Sequence, residues 1–440
     1  MSEWKKVKIG EFLTEREGRF KPDDKRISKY QRLDKIDFSG NIHLSNKPTK
    51  TDMILVQPGD LVISGINVAK GAITVYQGEE PVCATIHYSS YTFDSSKVDL
   101  DYFKFFVKSA AFIAAMQKQV KGGIKTEIKP KHLLALEISI PDLGTQKKIV
   151  KEISSQLEKT EQLSSEIEKQ KSYAKQLHQN ILQEAIEGKL TADWRKQHPV
   201  QKGNPDYDAE ALFDKIQAEK LETKSDKIQS PLFFNELQIP KIWRYPILSN
   251  ITKQITDGTH LTPNYVEQGE VFLSAQNVKP FNFIPEIHRY VSKKDFDIYR
   301  NNRTPEKNDI LMARVGAGIG EAAVIDNDLQ FAFYVSLCLI KSFPSLVDPR
   351  YLCIVLNSSY GTTYAKSNIS SSGSSAGNYN LGHIRALKIP LPPLAEQKEI
   401  VARVEQLLQT ITQLETQIAT RETTTKQLMQ SILKDAFEEK

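Results

Sequence analysis

One stretch of this sequence is written twice. Residues 141–189 and 392–440, aligned without a gap, agree at 19 of 49 positions, where unrelated segments of ordinary composition agree at roughly one in sixteen. The agreements include Pro141/Pro392, Leu143/Leu394, Gln146/Gln397, Ile149/Ile400, Leu177/Leu428, Ile181/Ile432, Ala185/Ala436 and Lys189/Lys440. A proline keeps the residue before it out of helical geometry, so Pro141 and the Pro392–Pro393 pair give each copy an extended lead-in. Glu396 and Glu399 follow in the first turn of the second copy, where negative charge suits the helix dipole, and Gly188 can stop the first copy. Between these signals Leu163, Ile167, Ala174, Leu177 and Ile181, and then Leu414, Ile418, Leu428 and Ile432, recur at helical spacing. Each copy is expected to form one helix of about 45 residues, or about 65 Å at 1.5 Å per residue. A lone helix of that length cannot bury its apolar stripe. The two copies are therefore expected to pack antiparallel along a coiled-coil seam, weakened where Gln170/Arg421 and Thr160/Ile411 interrupt it.

The segments preceding the two copies echo each other more faintly. Trp4 and Trp243 open them; "GDLVIS" (59–64) answers "NDILMA" (308–313), and "DYFKFFVKS" (101–109) answers "PRYLCIVLNS" (349–358). Period-two stretches such as "GAITVYQ" and "EAAVIDN" suggest strands. The fold class expected is α+β: two β-rich mixed α/β globules separated by two long antiparallel helices, with an internal pseudo-twofold repeat. The expected boundaries are 1–140 for the first globule, 141–195 for the first helix, 196–230 for a polar linker with a short helix near 209–221, 231–387 for the second globule and 388–440 for the second helix.

Charge follows the same division. The four parts 1–140, 141–240, 241–386 and 387–440 carry +5, −2, +3 and −1, which sum to the net +5 of the 440-residue chain. Weakly basic globules alternate with weakly acidic helices, as expected if the globules face phosphate and the helices face protein. No run approaches the roughly 20 apolar residues of a membrane span, and "MSEWKKVKIGEF" lacks a secretory apolar core. Cys83, Cys338 and Cys353 are scattered outside any CxxC spacing and read as reduced core thiols of a cytoplasmic protein.

Three short patterns invite an enzymatic reading, and each lacks its context. "VGAGIG" (315–320) is GxGxG, short of the GxGxxG that a dinucleotide cradle needs between a strand and a helix. "NPDY" (204–207) has Asp206 where the adenine-methyltransferase loop has a second proline, and Pro205–Asp206 with Glu222 and Lys224 imitates a metal-dependent nuclease inside a polar linker. The eight histidines show no HxH or HxxxH pairing, so no zinc site is expected.

The words "IPLPPLAEQKEIVARVEQLL" (389–408), "ILQEAIEGKLTADWRKQHP" (181–199) and "ITDGTHLTPNYVEQGEVFLSAQNV" (255–278) resemble the specificity subunit of type I restriction–modification systems, and the resemblance runs through essentially the whole chain in the family's order. It implies a non-catalytic chain whose globules are target recognition domains, each reading one half of a bipartite double-stranded DNA site. The helices would set the spacing between halves and dock two methyltransferase subunits, with restriction subunits joining later. S-adenosylmethionine, ATP and Mg²⁺ would serve those partners, and this chain would hold no cofactor. A methylation-only system and a coiled-coil adaptor that does not bind DNA are the alternatives. The first copy departs from the second at Asp142, Gly144 and Thr145, which face Pro393, Ala395 and Glu396, and the first globule lacks a DGTH word.

That resemblance directs attention to polar residues at loops. In the second globule the candidates for DNA contact are Thr259 and His260 of the DGTH turn, Gln276 and Asn277, whose amides suit adenine, Arg314, and Ser371, Ser372 and Ser374 of the low-hydrophobicity run 367–380. In the first globule they are Ser64, Asn67 and Lys70, and Lys118, Lys121 and Lys125 of the lysine-rich run 117–131. The structural alternatives are a plain turn at Asp257, a salt bridge at Arg314 and an ordinary loop at 367–380. For helix packing or methyltransferase docking the candidates are Gln146, Ile149, Leu163, Ile167, Leu177, Ile181, Gln397, Ile400, Leu414, Ile418, Leu428 and Ile432.

Overall fold

The computed structural model describes residues 4–38, 40–66, 72–119, 129–220, 230, 236–370 and 377–437. The chain divides into two compact units, Met1–Lys169 with Ile418–Lys440, and Gln170–Gln417. Each unit therefore holds one globule together with parts of both long helices.

In the first unit an antiparallel sheet runs in the order Leu13–Glu15, Tyr88–Phe93, Leu61–Ser64, Ile73–Val75. The second unit repeats that order with Thr252–Asp257, Leu337–Ser342, Ile310–Ala313 and Ala322–Val324. In chain order both sheets read first, fourth, second, third. The turn before the central strand is also shared: Gly59 and Asn308 both lie in the left-handed region (φ 86° and 72°), which glycine and asparagine tolerate best. The following aspartates, Asp60 and Asp309, each accept from a backbone N–H three residues back, that of Gln57 (2.9 Å) and of Glu306 (2.8 Å).

A second sheet in each unit contains a parallel pair, Arg32–Ile36 with Val82–Thr85 in one and Glu270–Leu273 with Phe331–Phe333 in the other. An antiparallel strand flanks each pair, Ile42–Ser45 and Arg289–Val291 respectively. The edges then diverge, with Met53–Val56 completing the first sheet and Tyr265–Val266 the second. The apolar helix anticipated at 101–109 is Leu100–Phe106, and it buries Tyr102, Phe103 and Phe106 against Leu13, Leu61 and Tyr91. Its counterpart, Pro349–Asn357, buries Tyr351, Leu352 and Val355 against Ile310 and Ile340.

The two long helices are Leu143–Ile186 and Leu394–Phe437, of 44 residues each. In the first unit Ile149, Ile153 and Leu157, early in one helix, share a core with Ile432, Leu433 and Phe437, late in the other. In the second unit Ile181, Leu182 and Ala185 share a core with Ile400, Val401 and Val404. Early meets late and late meets early, so the helices are antiparallel. The buried line is narrower than the expected seam: from Ile153 through Thr160, Ile167 and Ala174 to Ile181, and from Val404 through Ile411, Ile418 and Thr425 to Ile432, only every seventh residue is buried, and it widens towards the helix ends with Leu182, Ala185, Ile400 and Val401. Leu163, Leu177, Leu414 and Leu428, expected in that seam, are instead 48, 46, 41 and 44% exposed. Each lies three residues past a buried position, and the small Thr160, Ala174 and Thr425 leave only a narrow line between the helices. Ile167, Ile181, Ile400, Ile418 and Ile432 are buried as expected, and Ile149 is half-buried. No helix among the described residues is long and apolar enough to cross a membrane.

Candidate nucleic-acid interface

The repeated glutamine explains itself first. Gln146 is fully buried; its amide donates to Pro141 O (2.8 Å) and accepts from Asp99 N–H (2.7 Å). Gln397 does the same with Pro392 O (3.0 Å) and Asp348 N–H (3.0 Å). Asp99 and Asp348 are the N-caps of the two apolar helices, accepting from Tyr102 N–H and Arg350 N–H. Each glutamine thus ties a long helix to its own globule. Both side chains are fully buried, so neither faces a partner.

In the second unit, Asp257 ends a strand, and Gly258 follows because a Cβ there would sit 2.3 Å from Phe333 O. Thr259 is buried, its backbone paired with Phe333 and Val335 (3.0 Å each). The Asp257 carboxylate accepts from His260 Nε2 (2.9 Å) and from Arg314 Nη1 (2.5 Å). Arg314 is 4% exposed and uses four of its five N–H groups: Nε donates to Tyr379 O (3.0 Å), Nη2 to Asn378 Oδ1 (3.1 Å) and Nη1 also to Val335 O (3.3 Å). The expected salt bridge at Arg314 is thus present, with Asp257 as its partner. Asn277 is likewise committed, since its amide donates to Ile284 O (2.8 Å) and Ile287 O (2.7 Å) while accepting from Ser274 N–H (2.9 Å). His260 and Gln276 are exposed. Arg314 thus joins two of the candidate regions, the DGTH turn and the strand Asn378–Tyr379, which pairs with Ile369–Ser370. Ser371, Ser372 and Ser374 lie outside the described residues.

In the first unit Ser64 is buried at its strand end, its N–H bonded to Ala72 O (2.9 Å), and Lys118 is exposed at the end of the helix Ala110–Gln119. Asn67, Lys70, Lys121 and Lys125 lie outside the described residues. The strand register supplies an equivalence that no shared word had signalled. Arg16 N–H bonds Ser90 O (2.8 Å) where Thr256 pairs with Leu339, which places Glu17–Gly18 at the position of Asp257–Gly258.

The enzyme-like patterns resolve into structure. "VGAGIG" is a turn between the antiparallel strands Ile310–Ala313 and Ala322–Val324, with Gly316 and Gly320 at positive φ (95° and 89°), and no helix follows it. "NPDY" caps the second long helix: Pro205 O and Asp206 O accept from Leu394 N–H (3.2 Å) and Ala395 N–H (3.1 Å). Glu222 and Lys224 lie outside the described residues. Burial pushes the Cys83 thiol up to about 11 and that of Cys338 to about 12, so both are held as thiols. Among the described residues no cluster of His, Cys, Asp and Glu could hold a metal ion.

A family model described as the type I restriction modification DNA specificity domain matches residues 1–170 and 265–421, more than half of the sequence. The chain belongs to that family. It is similar to the type I restriction enzyme EcoBI specificity subunit of Escherichia coli, 24% identical over 303 residues, which are 68% of this chain and 57% of that protein. The StySPI specificity subunit of Salmonella potsdam is 22% identical over 389 residues, 87% of this chain and 74% of that protein, and the EcoKI subunit of Escherichia coli K12 is 22% identical over 336 residues, 76% and 63%. The matched stretch is thus less than two thirds of two of these three relatives. Two solved structures share the fold over nearly the full chain. A chain from a structural study of complex assembly and conformational transition of the type I R-M system has TM-score 0.67 and 16% identity, covering 99% of this chain and 98% of its own. The HsdS subunit from Thermoanaerobacter tengcongensis has TM-score 0.54 and 16% identity, covering 99% and 96%.

In a specificity-family chain, the side chains available to a partner are those not spent on its own frame. Gln276 and Lys118 are exposed, His260 is exposed but bonded to Asp257 (2.9 Å), and Ser64, Thr259, Asn277 and Arg314 are buried.

Proposed function

We propose that this chain is the DNA-specificity subunit of a type I restriction–modification complex, working in the cytoplasm. The observation that carries the reading is duplication at both levels: two globules with the same sheet order, each tied by the same buried glutamine to one of two like helices. Two such readers suit a bipartite double-stranded target. Phosphate contacts would supply salt-dependent affinity and base-edge contacts the discrimination. An antiparallel helix pair suits the role of a spacer between half-sites. The chain itself catalyses nothing in this reading; methyl transfer, ATP-driven motion and cleavage belong to partners that bring S-adenosylmethionine, ATP and Mg²⁺.

The docking of two methyltransferase subunits is supported by the exposed leucines. Leu163 and Leu414 occupy the same place in the two copies, as do Leu177 and Leu428, and all four face outward beside the narrow seam. Apolar side chains displayed at equal positions on two helices suit two copies of one partner.

The test is a base-resolution methylation map of DNA from cells carrying this chain with its methyltransferase, against cells lacking only this chain. A bipartite adenine-methylated motif that disappears with the chain is expected. An unchanged map, with the partner expressed, would defeat the reading.

A further inference from the structure

The two units differ at one equivalent point beside a candidate turn. In the second unit the space between the Asp257 turn, the end of the strand Ile310–Ala313 and the strand Asn378–Tyr379 is filled by the Arg314 guanidinium. Strand register puts Gly65 at that position in the first unit. Ser64 pairs with Tyr88 as Ala313 pairs with Leu337. One residue on, Gly65 N–H bonds His87 O (2.9 Å) as Arg314 N–H bonds Ser336 O (2.9 Å). The neighbours correspond as well. Glu17 stands for Asp257, and Lys129, which precedes the helix Pro130–Leu134, stands for Asn380, which precedes the helix Leu381–Ala386.

With no side chain at Gly65, the first unit keeps an open cleft of about 610 Å³, lined among others by Glu15, Glu17, Arg19, His87, Tyr88 and Lys129. Around it the side chains of Glu17, Arg19, His87 and Lys129 make no hydrogen bond or ion pair among the described residues, and Glu17 and Arg19 are exposed. Arg16, in contrast, is spent on the buried Asp60 (2.6 and 2.8 Å). Burial pushes the Glu15 carboxyl above its ordinary value, with Arg19 lowering it and Glu17 raising it, so these three charges share one neighbourhood. A guanidinium and a carboxylate without hydrogen bonds, lining one cleft, offer a donor fork and an acceptor, and a G·C pair presents the complement in the major groove. Guanine O6 and N7 accept, and cytosine N4–H donates.

We propose that this cleft is the base-reading site of the first unit, with Arg19 donating to guanine and Glu17 accepting from cytosine of one G·C pair. Lys129, at the same rim, supplies a phosphate contact. The assignment rests on the specificity-subunit reading and adds which residues read and which pair they take. It also makes the units unlike readers, because the second has closed the same place with Arg314.

The experiment is methylation mapping with the full chain and its methyltransferase partners, comparing the natural protein with Arg19→Ala and Glu17→Gln. Neither side chain has an internal bond to lose, and the half-site read by the second unit is an internal control. Each variant is expected to relax one G·C position in one half of the motif, lowering discrimination there about tenfold to a hundredfold, with the other half unchanged. Unchanged motifs in both variants, or relaxation at an A·T position, would overturn the assignment while leaving the specificity reading intact. Absence of any bipartite motif with the natural chain would instead overturn the reading on which it rests.

Discussion

The two long helices begin with almost the same word, are latched by the same glutamine, and are capped by different means. The first caps itself. Asp142 accepts from Thr145 N–H (3.0 Å) and Thr145 Oγ1 (2.8 Å), and these bonds hold its carboxyl below the usual carboxylate range. The second has Pro393 in that place and takes its cap from elsewhere in the chain, the carbonyls of Pro205 and Asp206. Glu396, standing where the first copy has Thr145, is buried against Thr191 Oγ1 (2.7 Å), Arg195 Nε (2.9 Å) and Trp243 Nε1 (2.8 Å). Arg403 adds bonds to Leu190 O (2.9 Å) and Asp193 (2.7 Å). The shared residues therefore carry the frame, and the unshared ones record what each copy is fastened to. The word "LTADWRKQHP" is accordingly an anchor for the second helix start.

The largest effect expected from this contrast is at Glu396. Replacing it with alanine leaves Arg195, whose side chain is 18% exposed, facing a buried site without its partner. Breaking such a pair costs roughly 3–5 kcal/mol. Thr145→Ala removes one contact from a cap that keeps its Asp142 side chain, at a cost of about 1 kcal/mol or less. Thermal unfolding of the two variants would show the difference, and equal losses would mean that the two starts are held alike after all.

The next comparison should show no asymmetry. Gln146→Ala and Gln397→Ala each leave a backbone N–H, that of the part-buried Asp99 or the buried Asp348, without its acceptor. Each is expected to cost about 1–3 kcal/mol and to loosen the apolar helix of its own unit, read as faster amide exchange at Asp99 or Asp348. A loss confined to one of the two would end the claim that the latch is a common device.

These contrasts mark how far the sequence could be read. The repeat, the lengths of the helices and the echo of "GDLVIS" in "NDILMA" were all legible, because each depends on residues close together in the chain. The partner of a buried side chain was not. Asn277 has an amide suited to adenine, yet it is locked by Ile284 and Ile287, seven and ten residues on. Arg314 follows a strand as a phosphate contact would, yet its acceptors sit 57 residues before it and 21, 64 and 65 after it. The exposed Leu163 and Leu177 keep a helical spacing that looks like a seam; only the small residues at Thr160, Ala174 and Thr425, read together as one narrow line, reveal where the contact runs. The correspondence of Gly65 with Arg314 exists only in strand register, and that of Glu17–Gly18 with Asp257–Gly258, a carboxylate before a glycine in both, is too short to find without it.

The smallest effect concerns pH and separates the units once more. His178 lies half-buried on the first long helix within the second unit, its ring centroid 6.3 Å from that of Phe281. Its counterpart in the second copy, Met429, belongs to the first unit and cannot titrate. Burial lowers the His178 pKa from 6.5, while Glu415 opposes the shift without cancelling it. Well above pH 6.5 the imidazole is neutral in folded and unfolded chains alike, and it contributes nothing to the dependence on pH. As pH falls through that value the unfolded chain takes up the proton first, so the second unit loses stability towards acid until the folded pKa is passed. His178→Met copies the residue of the other helix and should remove this part of the loss. Melting curves of the two proteins between about pH 7 and about pH 5 would show a shallower acid-side decline for the variant. An identical decline would mean that the histidine sits in water as freely when folded as when unfolded, and that in this respect the two helix copies are equivalent.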